Sequence, residues 1–572
     1  NNNMSTHIKN NISSNNVLTD YSGTYTSTSN NISSDATSPD GAYQNQTVSF
    51  IDSANEDYRL AATDTSAKDK GFDLLSDANL FISDDIALNT RFSIDIGAFE
   101  AAIPIYRSVG PLNTAALDVG TSKDLTIASG VATFGSDLSV TVGVGDAIQY
   151  DSDNDGTVDA IIFIHSRIDS TNYIVRNADG SIPFDMAVAD RDWSIFRAYT
   201  SLQNSMIATE NTGIDDSLEN FDTWSGGRDL VTNGEQWNVA LYSDDTDGGN
   251  VGIGSSWTTA ETRNLRVFVP YKSSDVSFRQ RHEGVWDSRF YTFVHANGGS
   301  TAIGIGAPYV TLDGLQISNT TTSSSNRNVI FVTSGSTTGM KISNNILYDP
   351  NPVNSARAGI VVTIVQKGYE GIIKNNLIYN FQMGSGIYNI ANNSYINIVN
   401  NTLVNNGNGI DCLNSECICK NNLAYNNSVD DFVAASCVGS STNNLSSDAS
   451  APGTSPIANA TVTFQDAAIN DFRLASSDTG ARNQGSDLSA DPLTPFNNDI
   501  QDHTRALDGS WDVGAFEAST QIFRSIGPTN TTSLENGTGN NLTISGSVAT
   551  FASGISNNIG VGDAIQYDST CL

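Results

Sequence analysis

The sequence predicts an all-β chain in which a parallel β-solenoid alternates in tandem with a small antiparallel β-barrel or sandwich. Three observations carry this. Asn-Asn pairs fall at Asn344-Asn345, Asn375-Asn376, Asn400-Asn401, Asn421-Asn422 and Asn443-Asn444, recurring after 31, 25, 21 and 22 residues. The middle pairs follow β-alternating stretches such as Gly371-Ile372-Ile373-Lys374, Tyr395-Ile396-Asn397-Ile398-Val399 and Cys417-Ile418-Cys419-Lys420. Apolar spacing of two, rather than three and four, excludes amphipathic helices. One turn of about 20–30 residues made of several short strands is the mark of a solenoid. Ile, Val and Leu then stack inward, while Asn at a fixed corner tolerates left-handed backbone angles and bonds the Asn one rung above.

The second observation is a longer period, of about 415 residues. Asp57-Tyr58-Arg59-Leu60-Ala61 returns as Asp471-Phe472-Arg473-Leu474-Ala475, and Asp95-Ile96-Gly97-Ala98-Phe99-Glu100 as Asp512-Val513-Gly514-Ala515-Phe516-Glu517. Gly145-Asp146-Ala147-Ile148-Gln149-Tyr150-Asp151-Ser152 returns letter for letter at 562–569, and Lys9-Asn10-Asn11-Ile12-Ser13 matches Lys420-Asn421-Asn422-Leu423-Ala424. The expectation is a chain that opens within one module and stops within the next. The third observation is a run of short alternating strands between the solenoid portions: 125–128, 131–134, 147–150, 160–164, 172–176 and 193–197.

Taken in order, residues 1–100 read as the C-terminal part of a solenoid module, and 101–200 as the small barrel or sandwich. Residues 201–228 hold a short helix and a connector whose Trp and Phe residues cover the open end of the next solenoid, because a terminal rung needs a cover. Residues 229–517 are that solenoid with its closing segment. Residues 518–572 are the first half of the next barrel.

At Tyr309-Val310-Thr311-Leu312-Asp313-Gly314-Leu315-Gln316-Ile317 and in the Asn-Asn rungs, the chain resembles the right-handed parallel β-helix proteins of the pectate-lyase-like superfamily. The stretch from Phe472-Arg473-Leu474 to Glu517 is similar to the closing segment of many secreted bacterial members. The resemblance covers roughly residues 229–517 and 1–100. It implies fold rather than activity, since this fold serves lyases, hydrolases, adhesins and phage spikes alike.

Composition narrows the function. Lys and Arg number 28 against 62 Asp and Glu, a formal charge of −34. That field disfavours nucleic acid and anionic membrane and favours divalent cations, though an acidic surface also simply keeps a protein soluble. No apolar run of about 18 residues is present to span a membrane.

The sharpest motif is Asp151-Ser152-Asp153-Asn154-Asp155-Gly156-Thr157-Val158-Asp159. Alternate carboxylates in a tight loop converge on one point, Gly permits the turn, and the Thr157 carbonyl adds an oxygen. Asp151, Asp153, Asp155, Thr157 and Asp159 are therefore the expected ligands of a structural calcium ion, with a bare polar hairpin turn as the alternative. The second copy reads Asp568-Ser569-Thr570-Cys571, breaking the acidic series, so calcium would stiffen some modules without being essential. Asp244-Asp245-Thr246-Asp247 is read as a solvated loop.

Four of the five cysteines lie at Cys412, Cys417, Cys419 and Cys437. Cys417 and Cys437 are about one rung apart, which suits a disulfide between stacked rungs; Cys412 competes for the same partner, and free structural thiols are the alternative. No catalytic set emerges: acids in the solenoid core are sparse, and adjacent Asp430 and Asp431 point to opposite faces. Arg279, Arg281, His282 and Glu283 are expected to be ion-paired surface residues, with an anionic sugar as the alternative ligand.

The expectation is a non-catalytic structural repeat unit of an extracellular, cell-surface fibre. Its partners are neighbouring modules of the same polypeptide or identical subunits. A glycan- or protein-binding adhesin is the alternative, and a polysaccharide lyase or hydrolase the more distant one.

Overall fold

Leu312, Ile342, Ile373, Ile398 and Cys419 stand one above another in register and are all fully buried. This column, seen in the computed structural model of the chain, is the spine of a three-sheet parallel β-helix. The structure describes residues 6–567 apart from 54–56, 61–63, 69, 73, 75–76, 78–79, 81–94, 99–101, 122, 154, 187–188, 297–300, 322–326, 334–337, 352–356, 364–369, 391–394, 414–415, 434–436, 507–508, 519–523, 528–529 and 546–547. Ala61, Phe99, Glu100, Asn154 and Asp568 through Cys571, named above, lie outside the described residues. The chain divides into two units, Asn1–Glu517 and Ala518–Leu572.

In the first unit, one sheet of eight parallel strands runs from Ile103–Val109 through Glu235–Leu241, Leu265–Phe268, Val310–Asp313, Lys341–Ser343, Glu370–Lys374 and Tyr395–Val399 to Glu416–Lys420. Two further sheets of seven strands each begin at Thr292–His295 and Val251–Ile253. Among the described residues, no helix is long and apolar enough to cross a membrane.

The Asn-Asn pairs divide their labour. The first Asn of each pair, at 344, 375, 400, 421 and 443, takes the left-handed conformation with φ between 49° and 58°, which Asn tolerates better than most residues. The second builds the ladder: the side-chain amide of Asn345 donates to Asn376 Oδ1, Asn376 to Asn401, Asn401 to Asn422 and Asn422 to Asn444, all at 2.9–3.0 Å and all buried. Corner and ladder were expected of one and the same Asn. They separate because a residue turned left-handed aims its side chain out of the coil.

The outward-turned amides hold the closing segment. Asn375 donates to Asn498 O, Asn400 to Gly514 O, Asn421 to Ser486 O and Asn443 to Gln484 O. Phe472, Ile500, Ala515 and Phe516 of this segment pack on Ile346, Leu377, Tyr379 and Val404 of the coil.

The described residues between 6 and 98 repeat this construction. Asn10 exchanges hydrogen bonds with the backbone of Phe72 at 2.8 and 2.6 Å, as Asn421 does with Ser486 at 2.8 and 2.9 Å. Gly97 N donates to Asn10 O, and Gly514 N to Asn421 O, each at 2.8 Å. Buried ion pairs Lys9–Asp77 and Lys420–Asp491 occupy matching places.

The boundary expected at residue 101 moves. Ile103–Val109 pairs in parallel with Glu235–Leu241 along its full length and so is the first strand of the solenoid. An alternating strand looks the same whichever sheet it joins, and this partner lies far along the sequence. The antiparallel domain is an insertion after that strand, a seven-stranded sheet that includes every strand expected within it. Its edges meet through residues 189–196: Leu125 and Asp190 exchange backbone hydrogen bonds, and Ser194–Phe196 pairs with Ala147–Tyr150. Leu125, Ile127, Ile148, Ile162, Ile164, Tyr173, Val175 and Ile195 fill its interior.

The short helix is Leu202–Met206, capped by Ser201 Oγ accepting from Asn204 N. It packs on Ile103–Val109 and Val251–Ile253, the terminal strands of two solenoid sheets. Trp224 stands edge-on to Trp237 and Trp257, so the aromatic residues of this segment do cover the first rung.

The cysteines pair as Cys412–Cys417 and Cys419–Cys437, in place of the expected Cys417–Cys437 bridge. Cys417 and Cys437 are neighbours in backbone register. Cys417 and Cys419 both point inward, however, and two thiols inside the coil allow one bridge across the corner and one to the next rung.

The second unit carries a hairpin, Leu542–Ser545 with Val548–Phe551, in the register Leu542↔Phe551. The hairpin of the first copy has the equivalent register, Leu125↔Phe134.

Candidate metal centre

The loop 151–159 joins Ala147–Tyr150 to Ala160–Arg167 at one end of the antiparallel domain. Asp151 is buried, while Asp153, Asp155, Thr157 and Asp159 are exposed. Backbone N–H groups of Asp155 and Gly156 donate to Asp151 at 3.2 and 2.6 Å, which curls the loop around that carboxylate. Carboxylate oxygens of Asp151, Asp153 and Asp155 thereby come within 4.8 Å of one another.

One expected ligand does other work. Asp159 accepts from Ser152 N at 2.8 Å and Ser152 Oγ at 3.0 Å, locking the base of the loop. Thr157 donates its backbone N–H to Asp155 Oδ1 at 2.8 Å, a bond that does not involve its carbonyl, the expected ligand atom. Two ligand candidates come from elsewhere: Asp190 and Asp192 form a second group with Asp151, again within 4.8 Å. Asp190 is buried and accepts from Asp151 N at 3.2 Å and Asp192 N at 2.7 Å. The only hint in the sequence was the pair Asp190-Arg191-Asp192, and it became meaningful once the sheet closed at this seam.

The charge of Asp155 pushes the Asp153 carboxyl above its ordinary pKa, with burial, Asp159 and Asp151 adding to the effect. Each trio that shares Asp151, with Asp153 and Asp155 or with Asp190 and Asp192, gathers hard oxygen donors of the kind calcium takes.

A second charged assembly lies on the outer face of the eight-stranded sheet. Asp313 faces Arg281 at 3.1 Å and Arg266 at 3.7 Å and accepts from Asn344 Nδ2 at 2.7 Å. Burial pushes its carboxyl up, but Arg281 and Arg266 outweigh that and hold it at about 2. Lys374, half-buried against Phe496, is lowered to about 8 by burial, with Asp313 opposing. The surface placement expected for Arg281 and His282 is overturned: both are buried under this face. Apolar neighbours were read as marking the interior, and a short polar run gave no sign of being overlaid.

His282 is fixed as the Nε2–H tautomer, since Gly284 N donates to Nδ1 at 3.2 Å and Nε2 lies 2.9 Å from Asn344 O. Burial, reinforced by Arg281, lowers its pKa to about 3. A depressed histidine contributes stability that is full above its unfolded value, near 6.5, and is lost as pH falls toward 3. Replacing it by Gln is expected to flatten the stability-versus-pH curve over that window by roughly 4 kcal/mol. Urea denaturation at a series of pH values reads the effect, and an unchanged slope would contradict it.

No protein-family model matches the chain, and no curated protein matches it. Among solved structures, the crystal structure of pectate lyase Pel9A is similar at 11% identity and a TM-score of 0.21, covering 50% of this chain and 88% of that one. The fold itself rests on the strand pairing.

Proposed function

We propose that this chain is a non-catalytic structural repeat unit of an extracellular, cell-surface fibre. The observation that carries the reading is the closing segment built twice with the same hydrogen bonds, Asn10 to Phe72 and Asn421 to Ser486. A repeated module whose internal joints recur bond for bond suits an array in which length comes from repetition and stiffness from stacked rungs. The neighbours in such an array are modules of the same kind. Electron microscopy of native material tests this: thin continuous filaments with an axial repeat of one module are expected, and separate particles would defeat the reading.

Within this reading, calcium is a structural ion held at Asp151, by the trio with Asp153 and Asp155 or the trio with Asp190 and Asp192, clamping the closing seam of the antiparallel domain. Saturating calcium at about 100 times its Kd would stabilise that domain by about 2.7 kcal/mol. Calorimetry with calcium and then with chelator is expected to show the domain melting several degrees lower without the ion. Asp151→Asn should abolish that difference while the solenoid transition stays where it was. Equal melting with and without calcium would rule the site out.

Arg266 and Lys341, aligned in one column through Thr311 on a chain of charge −34, favour one second reading, an adhesin for acidic glycans. Salt-sensitive binding of uronate-containing oligosaccharides, weakened by Lys341→Gln, would support it.

A further inference from the structure

Two buried carboxylates share one buried guanidinium where the inserted antiparallel domain meets the solenoid. Asp146 stands in the turn before Ala147–Tyr150, Arg197 directly follows Ser194–Phe196, and Asp244 lies just beyond Glu235–Leu241 of the solenoid. The Arg197 and Asp146 side chains are 0% exposed and that of Asp244 11%. Arg197 Nη1 lies 2.9 Å from both oxygens of Asp146, while Nε and Nη2 donate to Asp244 at 2.9 and 2.8 Å. The formal charges are therefore two negative against one positive.

Among the described residues, no second cation bonds to Asp146. Tyr242 and Tyr173 bring neutral phenols, both raised by burial, and Ser108 brings a hydroxyl. Arg107, one residue before Ser108, is turned to Asp222 at 2.8 Å. Asp275, whose carbonyl accepts from Val144 N at 2.9 Å, has Arg266 and Lys272 beside its own carboxylate. Burial pushes the Asp146 carboxyl up to about 6, with Arg197, the Gly143 N–H and Ser108 opposing. At Asp244 burial pushes the same way, but the bonds from Arg197 and Asn113 outweigh it and hold that carboxyl below its ordinary value. The excess negative charge is thus relieved by a proton on Asp146 rather than on Asp244.

We propose that Asp146, Arg197 and Asp244 form a proton-sensitive latch that fastens the inserted domain to the solenoid more tightly in mild acid than at neutral pH. With Asp146 protonated, one carboxylate faces one guanidinium. With it ionised, an uncompensated charge is buried at the joint. A raised carboxyl contributes stability that is full below its unfolded pKa, about 3.9, and is lost as pH rises through its folded value. The latch lies within one module and depends on neither the fibre nor the adhesin reading.

Hydrogen exchange of the whole chain tests it, read by mass spectrometry between pH 5 and 7.5 and corrected for intrinsic rates. The amides that close the joint are Gly110, bonded to Tyr199 O, Tyr199, bonded to Ser108 O, and Ala198, bonded to Ser108 Oγ. Their protection should be about tenfold higher at pH 5 than at pH 7.5. Asp146→Asn, which keeps the shape without the charge, should hold that protection constant over the range; Asp146→Ser serves if the Asn variant does not fold. Leu423 N, bonded to Asn401 O in the coil, is the reference and should not respond to either substitution. Flat protection at the joint in the parent would overturn the latch. A rise that survives removal of the Asp146 charge would overturn it too, by placing the proton elsewhere.

Discussion

Asn401→Ala is expected to destabilise the solenoid by about 5 kcal/mol, because it orphans buried polar groups on two rungs at once. In the native ladder, Asn401 Oδ1 accepts from both the backbone N and the side-chain amide of Asn376, at 3.0 and 2.9 Å. Its own amide donates to Ile373 O at 2.8 Å and to Asn422 Oδ1 at 3.0 Å. Truncation removes the partners of the Asn376 backbone N–H and of one hydrogen of its side-chain amide, and the side-chain donor to the Ile373 carbonyl, inside the buried coil, at about 1–3 kcal/mol each. A corner residue should behave quite differently. Asn426 has φ of 55° and is exposed, so Asn426→Gly keeps the backbone angle and should change stability by only a few tenths of a kcal/mol. Chemical denaturation of the two variants beside the parent measures the contrast. Equal losses would mean that the ladder carries no more than the corners do.

Arg197→Met is expected to cost about 5 kcal/mol or more at pH 7.5, the penalty of leaving buried carboxylates without their counter-charge. Arg197 is fully buried at the junction of the antiparallel domain and the solenoid. It donates to both oxygens of Asp146 at 2.9 Å and to Asp244 at 2.9 and 2.8 Å, and its guanidinium stacks 3.6 Å from the Tyr242 ring. Asp244, read from the sequence as part of a solvated loop, is thus an anchor of the junction. Without the guanidinium, both carboxyls are pushed upward by burial and by each other. A raised carboxyl contributes stability that is present at low pH and lost as pH rises through its folded pKa. The variant should accordingly be more stable at pH 5 than at pH 7.5, and Arg197→Met with Asp146→Asn should recover part of the loss. A variant with no such pH dependence would show that water reaches the pair.

The solenoid and its rungs were legible because they are periodic. Apolar residues recurring every second position and Asn-Asn pairs recurring every turn encode inward columns and corners locally. The strands of the antiparallel domain were legible for the same reason. Ile103–Val109 was misplaced because alternation does not name a partner. The metal loop could be read as a tight acidic turn, yet only part of its ligand set could be. Asp151, Asp153 and Asp155 converge through their own backbone. Asp159 is taken by Ser152, and Asp190 and Asp192 arrive from a segment that reaches the loop only when the sheet closes. The cysteines show the same limit, since spacing gave the rung but not which inward thiol meets which.

By itself, then, the sequence determined what neighbours along the chain decide: strand periodicity, left-handed Asn corners, the tandem module and the curl of the acidic loop. Only the tertiary structure decided what depends on distant segments meeting. It put the first solenoid strand ahead of an inserted domain and split the Asn pair into ladder and strap anchor. It also paired the thiols and buried Arg197, Arg281 and His282. The physical reason is that hydrogen-bond geometry and side-chain alternation are set within a few residues, whereas burial and ion pairing are set by whatever the fold brings alongside.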